Sequence, residues 1–179
     1  WPSAGGSGSA SASTVIVASG RVPKRLAVGG DHLKGINFCS VCDGPLYRNQ
    51  RAVLAVVGGD NAAAQHVLTL SAVAETVYFI HRSRETAMDA AHAALLAGRE
   101  NVRVLPETEV VRYVGLDGIE AVAVRSAAEG EREIPIDGLF LAVGWTPNTD
   151  MIDFPVETTP EGYIKTDYQL MSSAPGLFA

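Results

Sequence analysis

The sequence predicts an α/β fold: a Rossmann-like three-layer nucleotide-binding domain with a parallel sheet, helices and a small antiparallel meander. Three observations predict it. A continuous apolar run, Ala52–Val57, enters the glycine pair Gly58-Gly59. Apolar residues then recur at helical spacing at Ala63, Val67, Leu70 and Ala74, ahead of a second strand-like run, Thr76–Ile80. Beyond residue 108 come three short strand-like segments, separated by Asp117-Gly118 and Glu129-Gly130.

Each element has its own reason. Thr14–Ala18 is β-branched and apolar, then Ser19-Gly20 breaks it, which reads as a short buried strand and a turn. Residues 21–35 read as loop. A short helix follows Cys39 and ends near Asn49. The unbroken apolar run at 52–57 suits a parallel strand covered on both faces. With the helix and strand behind it, it forms a βαβ unit of about 30 residues, the length of a mononucleotide-binding half. Residues 87–97 are alanine- and leucine-rich and helix-forming, and Val102–Leu105 is the next strand. Residues 109–114, 119–125 and 132–136 form the meander, because Asp-Gly is a tight hairpin signal. Leu139–Val143 returns as a buried strand ending at Gly144, and 145–179 is loop-rich, with four prolines at 147, 155, 160 and 175.

Composition excludes several classes of function. The 179 residues are 47% apolar and 19% charged, the profile of a globular chain with a real core. A net charge of −6 argues against nucleic acid as a partner. No apolar run approaches the roughly 20 residues that span a bilayer. The expectation is a soluble, cytoplasmic protein without a membrane partner. The opening Trp1–Ala12 is small-residue, low-complexity sequence resembling a linker or vector remnant, so 1–13 is set apart from the fold. The chain opens on Trp1, without an initiator methionine, and stops in an apolar run at Ala179, as a fragment of a longer enzyme would.

The only two cysteines stand as Cys39-Ser40-Val41-Cys42, followed by Asp43. Cys-x-x-Cys at the head of a helix lets two thiols close a small reversible disulfide. A helix N-terminus favours the reactive thiolate. One sulfur of such a pair is usually more exposed and the other deeper. Asp43 is placed to protonate a leaving thiolate, so Cys39, Cys42 and Asp43 are the candidate catalytic residues. A zinc site needs about four ligands. The four histidines are scattered singly, so no metal is expected; a chance pair of buried thiols is the other alternative to redox chemistry.

The glycine turn reads Gly58-Gly59-Asp60-Asn61-Ala62-Ala63, where a dinucleotide fingerprint wants Gly-x-Gly-x-x-Gly/Ala. Asp60 stands at the middle glycine, which normally lets backbone approach the pyrophosphate. Aspartate there puts a negative charge against an anionic ligand. It is also a favoured helix cap, and both roles are compatible. At the end of the second strand, His81-Arg82-Ser83-Arg84 offers Arg82 and Arg84 to a 2′-phosphate, with ordinary solvated surface as the alternative. No acidic residue stands there for a ribose diol, so NADPH is preferred over NADH if either binds. Gly58, Gly59, Asp60, Asn61, Ala62, His81, Arg82, Ser83 and Arg84, with Val143 and Gly144, are the cofactor-binding candidates. His66 and His92 fall within helical patterns and read as packing or surface residues.

These residues together resemble the pyridine-nucleotide portion of the low-molecular-weight thioredoxin reductases, class II pyridine nucleotide-disulfide oxidoreductases. The flavoprotein subunit of alkyl hydroperoxide reductase shares the pattern. The resemblance rests on Val15–Gly20, Cys39–Gly44, Val56–Gly59, Ile80–Arg82, Gly144–Thr149 and Pro175–Ala179. It implies a homodimeric flavoprotein that carries FAD, with Cys42 against the flavin, Cys39 exchanging with the protein substrate and Asp43 as acid–base. Electrons would run from NADPH through FAD to the dithiol and on to thioredoxin. It also implies a division of the chain: 14–36 linking to an FAD domain, 37–145 as the nucleotide domain with the dithiol, and 146–179 as the start of the returning FAD segment. The family's N-terminal FAD fingerprint and the Gly-Asp after Ala179 are missing, so the isolated chain is expected not to hold FAD or turn over. Asp60, and Ser83 and Ala87 where the family has arginines, put NADPH use in doubt. The alternatives are the same dithiol flavoenzyme with ferredoxin or a reduced flavin as donor, a flavin-dependent dithiol oxidase, and an inactive partner-binding domain. Oxidase relatives tend to carry His after the second cysteine, and Asp43 argues against them; the intact cysteine pair argues against the last.

Overall fold

The computed structural model describes residues 9–179. The proposed remnant at 1–13 therefore lies largely outside the described residues. The chain divides into two compact units, one of Pro23–Gly144 and one joining the residues up to Val22 with Trp145–Ala179.

In chain order the elements are β1 (Val15–Ile16), β2 (Arg21–Pro23), β3 (Ile36–Asn37), α1 (Ser40–Asp43) with a 3-10 turn (Gly44–Tyr47), and β4 (Val53–Val57). Then come α2 (Asn61–Ser71), β5 (Thr76–Ile80), α3 (Ala90–Ala97) and β6 (Val102–Leu105). The chain ends with β7 (Thr108–Val114), β8 (Ala121–Ser126), β9 (Gly130–Pro135), β10 (Gly138–Leu141), β11 (Trp145–Pro147) and β12 (Leu177–Phe178).

The larger unit has the three-layer α/β architecture expected. Its central sheet is five-stranded and parallel, in the order β3-β10-β4-β5-β6. A strand's side chains alternate between faces, so a sheet covered on both sides needs apolar residues at every position. β4 meets that demand. Leu54 and Val56 join Val77, Phe79 and Phe140 against Ala63, Ala64, Val67 and Leu70 of α2. Ala55 and Val57 join Leu139 and Leu141 in the opposite layer, against Val110, Val122, Val124 and Ile134 of the meander. The antiparallel sheet β7-β8-β9 is thus the third layer. Its exposed face carries ion pairs such as Arg112–Glu133 at 3.0 Å and Arg125–Glu131 at 2.9 Å. Exposed pairs of this kind are worth about 0–1 kcal/mol each.

Several boundaries differ from the sequence reading. Val15 and Ile16 form a strand with Leu177 and Phe178, but they are 50% and 77% exposed and so not a buried strand. β2 emerges within the 21–35 stretch that reads as loop and β3 just after it, because their partners β11 and β10 lie far along the chain. α2 stops at Ser71, short of Ala74. α3 starts at Ala90 because the Asp89 carboxylate accepts the His92 N–H at 2.9 Å and caps the helix there. β10 ends at Leu141, leaving Val143 beyond it.

Candidate functional site

Cys39 is the N-cap of α1, in extended backbone, and its sulfur accepts the Cys42 N–H at 3.2 Å. The first turn of a helix has N–H groups without helical acceptors, and here the sulfur takes one of them. The two cysteines are joined as a disulfide with Cα atoms 5.3 Å apart. Cys39 is half-buried and Cys42 exposed. Asp43 is the last residue of α1, and its N–H closes the turn onto the Cys39 carbonyl at 3.0 Å. Pro45 ends the α-helical pattern, and the chain continues as the Gly44–Tyr47 turn. Val41 and Leu46 lie exposed on this segment, at 74% and 67%.

Tyr47 fixes the segment to the sheet. Its hydroxyl accepts from Asn37 Nδ2 at 3.2 Å, and its ring meets Phe140 edge-on at 6.0 Å. A Cβ on Gly138 would lie 2.5 Å from the Tyr47 hydroxyl, so only glycine fits beneath it. Burial raises the Tyr47 pKa, with the Asp43 and Asp137 charges adding to it.

The second helix touches the first. His66 of α2 is half-buried, and its Nδ1 accepts the Ser40 N–H at 3.3 Å. Ser40 itself is buried. Burial lowers the His66 pKa, against a smaller opposing effect of Asp60. Sequence places His66 only as a packing or surface residue, since nothing local shows that α1 packs against α2.

The glycine turn follows β4. Gly58 must be glycine: a Cβ there would sit 2.5 Å from the Ala142 carbonyl oxygen and 2.6 Å from the Ala63 Cβ. Gly59 is roomier, with the His81 Cβ nearest at 3.7 Å. Asp60 is the N-cap of α2, and its carboxylate accepts the Ala63 N–H at 2.9 Å. Asn61 and Asp89 exchange two hydrogen bonds: Asn61 Nδ2 donates to the carboxylate at 3.0 Å, and Asp89 N–H donates back at 2.8 Å. Ala87 N–H reaches the Gly59 carbonyl at 2.6 Å, which brings the segment after β5 alongside the turn.

His81, just past β5, is 5% exposed and lies beside the turn, its ring 5.4 Å from that of Phe79. Among the described residues its Nδ1 is buried without a hydrogen-bond partner, and burial lowers its pKa against a smaller opposing effect of the Ser83 backbone. Arg82, Ser83 and Arg84 are exposed. Val143 is half-buried and Gly144 adopts φ +101°, the left-handed region that favours glycine. Gly58, Gly59, Asp60, Asn61, Ala62 and His81 therefore cluster where β4 and β5 end. Cys39, Cys42 and Asp43 lie at α1, which meets α2 through the Ser40–His66 hydrogen bond. Among the described residues, no three His, Cys, Asp or Glu side chains gather as metal ligands. No helix among them is long and apolar enough to cross a membrane.

The fit of this turn to a pyridine dinucleotide is partial. Gly58 provides the tight strand-to-helix passage. A dinucleotide pyrophosphate sits at a helix N-terminus, and Asp60 sets a carboxylate there, bonded to a helix amide. The pyrophosphate position is not matched.

This chain belongs to the pyridine nucleotide-disulphide oxidoreductase family, whose pattern it matches over residues 3–179. It is 34% identical over 174 residues to a thioredoxin reductase of Eremothecium gossypii, covering 92% of this chain and 54% of that protein. It is 30% identical to the F component of an alkyl hydroperoxide reductase of Pseudomonas putida, covering 97% of this chain and 34% of that protein. The crystal structure of a T. acidophilum thioredoxin reductase superposes with a TM-score of 0.81 at 28% identity, over 92% of this chain and 55% of that one. The chain thus spans about half the length of the thioredoxin reductases it matches.

Proposed function

We propose that this chain is the dithiol-bearing nucleotide-domain portion of a thioredoxin-disulfide reductase-like flavoprotein. The observation that carries the proposal is the Cys39–Cys42 disulfide at the head of α1, with Asp43 next in the chain. The relatives named thioredoxin reductase support it. FAD, if bound by the complete protein, would supply the electron pair needed to reduce the Cys39–Cys42 disulfide.

The chain's own residues then carry the exchange. In the reduced pair, the Cys39 thiolate attacks one sulfur of a substrate disulfide, and the other substrate sulfur leaves as a thiolate that takes a proton. Asp43 is placed to give that proton. Cys42, as thiolate, attacks the Cys39 sulfur of the mixed disulfide. The Cys39–Cys42 bond re-forms, and the second substrate sulfur leaves as a thiolate that takes the proton Cys42 gave up. Two electrons have moved to the substrate. The Cys42 N–H stabilises the Cys39 thiolate, because hydrogen bonds to charged acceptors are about twice as strong as neutral ones. The substrate is thioredoxin or a thioredoxin-like protein, and the complete enzyme is a cytoplasmic homodimer.

A second reading concerns the electron donor, and the Asp60 carboxylate at the start of α2 favours it. It is the same dithiol flavoenzyme fed by ferredoxin or a reduced flavin in place of NADPH. Assay of the complete protein with a dithiol reporter separates the two. Reduction driven by NADPH supports the ordinary donor; reduction driven only by ferredoxin or reduced flavin supports the second. Hydrogen peroxide formed from a dithiol and oxygen points to an oxidase. Disulfide exchange that survives Cys39→Ser overturns the dithiol mechanism itself.

A further inference from the structure

We propose that His66 is a positioning residue of the dithiol: its imidazole lone pair holds the first turn of α1 in the geometry that presents the Cys42 N–H to the Cys39 sulfur. The proposal rests on the reading of Cys39–Cys42 as a redox pair.

α1 is only four residues long, too short to hold its own shape. Two of its first-turn amides are satisfied from outside the helical pattern. The Cys42 N–H goes to the Cys39 sulfur, and the Ser40 N–H goes to His66 Nδ1. Ser40 is 3% exposed, which restricts water as an alternative acceptor for its N–H. Nδ1 can accept only when it carries no proton, which makes the neutral Nε2–H tautomer the working form. Burial favours that form. Asp60, at the head of the same helix, is the charged group acting on the ring, in the opposite sense. From the facing helix, α1 contributes one carboxylate, Asp43, three residues beyond Ser40. The His66 side chain thereby ties the dithiol to α2, the helix that opens at the glycine turn.

The effect falls on the reduced state more than on the disulfide. A thiolate draws more from the Cys42 N–H than a disulfide sulfur does. Loosening α1 therefore shifts the pair toward the disulfide.

The test is the equilibrium of this chain with reduced and oxidised dithiothreitol, from about pH 5 to pH 8, with thiols trapped and counted. Two electrons and two protons pass to the Cys39–Cys42 disulfide as dithiothreitol closes its ring. His66→Leu removes the acceptor and is expected to shift the constant at pH 8 toward the disulfide by roughly threefold to tenfold, the effect of one lost hydrogen bond. His66→Gln offers a carbonyl acceptor that does not titrate, and restores the wild-type value at pH 8. At pH values below the ordinary imidazole value of about 6.5, lower still because burial holds His66 neutral, the wild type shifts toward the disulfide relative to His66→Gln. A folded His66→Leu protein within twofold of wild type overturns the proposal. If circular dichroism shows that His66→Leu does not fold, His66→Gln decides: a pH profile superimposable on wild type overturns it. A wild-type pair that dithiothreitol cannot open and close overturns the redox reading and this inference together.

Discussion

Asp60 serves the fold and opposes a ligand with the same carboxylate. As the cap of α2 it satisfies the Ala63 N–H, a contribution of about 1 kcal/mol against alanine and only a few tenths against glycine. Against a pyrophosphate it is a like charge. Two such charges about 4 Å apart cost on the order of 1 to 4 kcal/mol. The double substitution Asp60→Gly, Ser83→Arg should therefore raise NADPH affinity by roughly tenfold to a thousandfold at little cost in stability. Isothermal calorimetry of the chain and its variant checks it. Micromolar NADPH binding by the unsubstituted chain, with no gain in the variant, would show that the carboxylate is no obstacle.

Among the elements, two adjacent glycines have different duties. Gly58 lies where β4 hands over to α2 and where Ala142 crosses, leaving no room for a methyl group. Gly58→Ala should destabilise by about 1–3 kcal/mol, the usual cost of overpacking. Gly59→Ala meets its nearest neighbour at an ordinary 3.7 Å and should change stability by less than about 0.5 kcal/mol. Urea unfolding of the two variants gives the comparison, and equal losses would mean that the β4–α2 passage is not the constraint. Helix capping shows how local signals act. The 87–97 pattern is helix-forming throughout, yet Asp89 starts the helix at Ala90 by taking the His92 N–H. A cap decides the first residue where propensity alone does not.

For the larger unit as a whole, Phe140 is the test of the layer beneath the helices. It is fully buried between the sheet and α2 and touches Tyr47 of the dithiol segment. Phe140→Ala should cost about 3–5 kcal/mol in a denaturant titration. A loss below about 1 kcal/mol would mean that the layer closes over the gap. Stability should also depend on pH in a defined window. His66 and His81 both have folded pKa values below the ordinary 6.5. The unfolded chain therefore binds more protons as pH falls below about 6.5, and stability drops from there down through the folded values. Urea midpoints near pH 7.5 and pH 5.5 should show the loss. His81→Gln, which removes one of the two groups, should reduce it. An unchanged pH slope would mean that His81 is not held neutral by the fold.

Local pattern was enough to place β4 with its glycine turn, β5 to the residue, the meander with its two turns, and the dithiol with its carboxylate. Continuous apolar runs, helical spacing and turn glycines are properties of neighbouring residues. β2 and β3 were not legible, because each is a strand only by virtue of a partner more than a hundred residues away. The exposure of Val15 and Ile16 could not be read either, since an apolar pair carries no sign of what covers it. The site divides along the same line. Cys39, Cys42, Asp43 and Asp60 announce themselves by spacing. The packing of α2 against α1, which sets the imidazole of His66 on the Ser40 amide, came from the folded chain alone, because that contact joins residues whose separation no periodicity records.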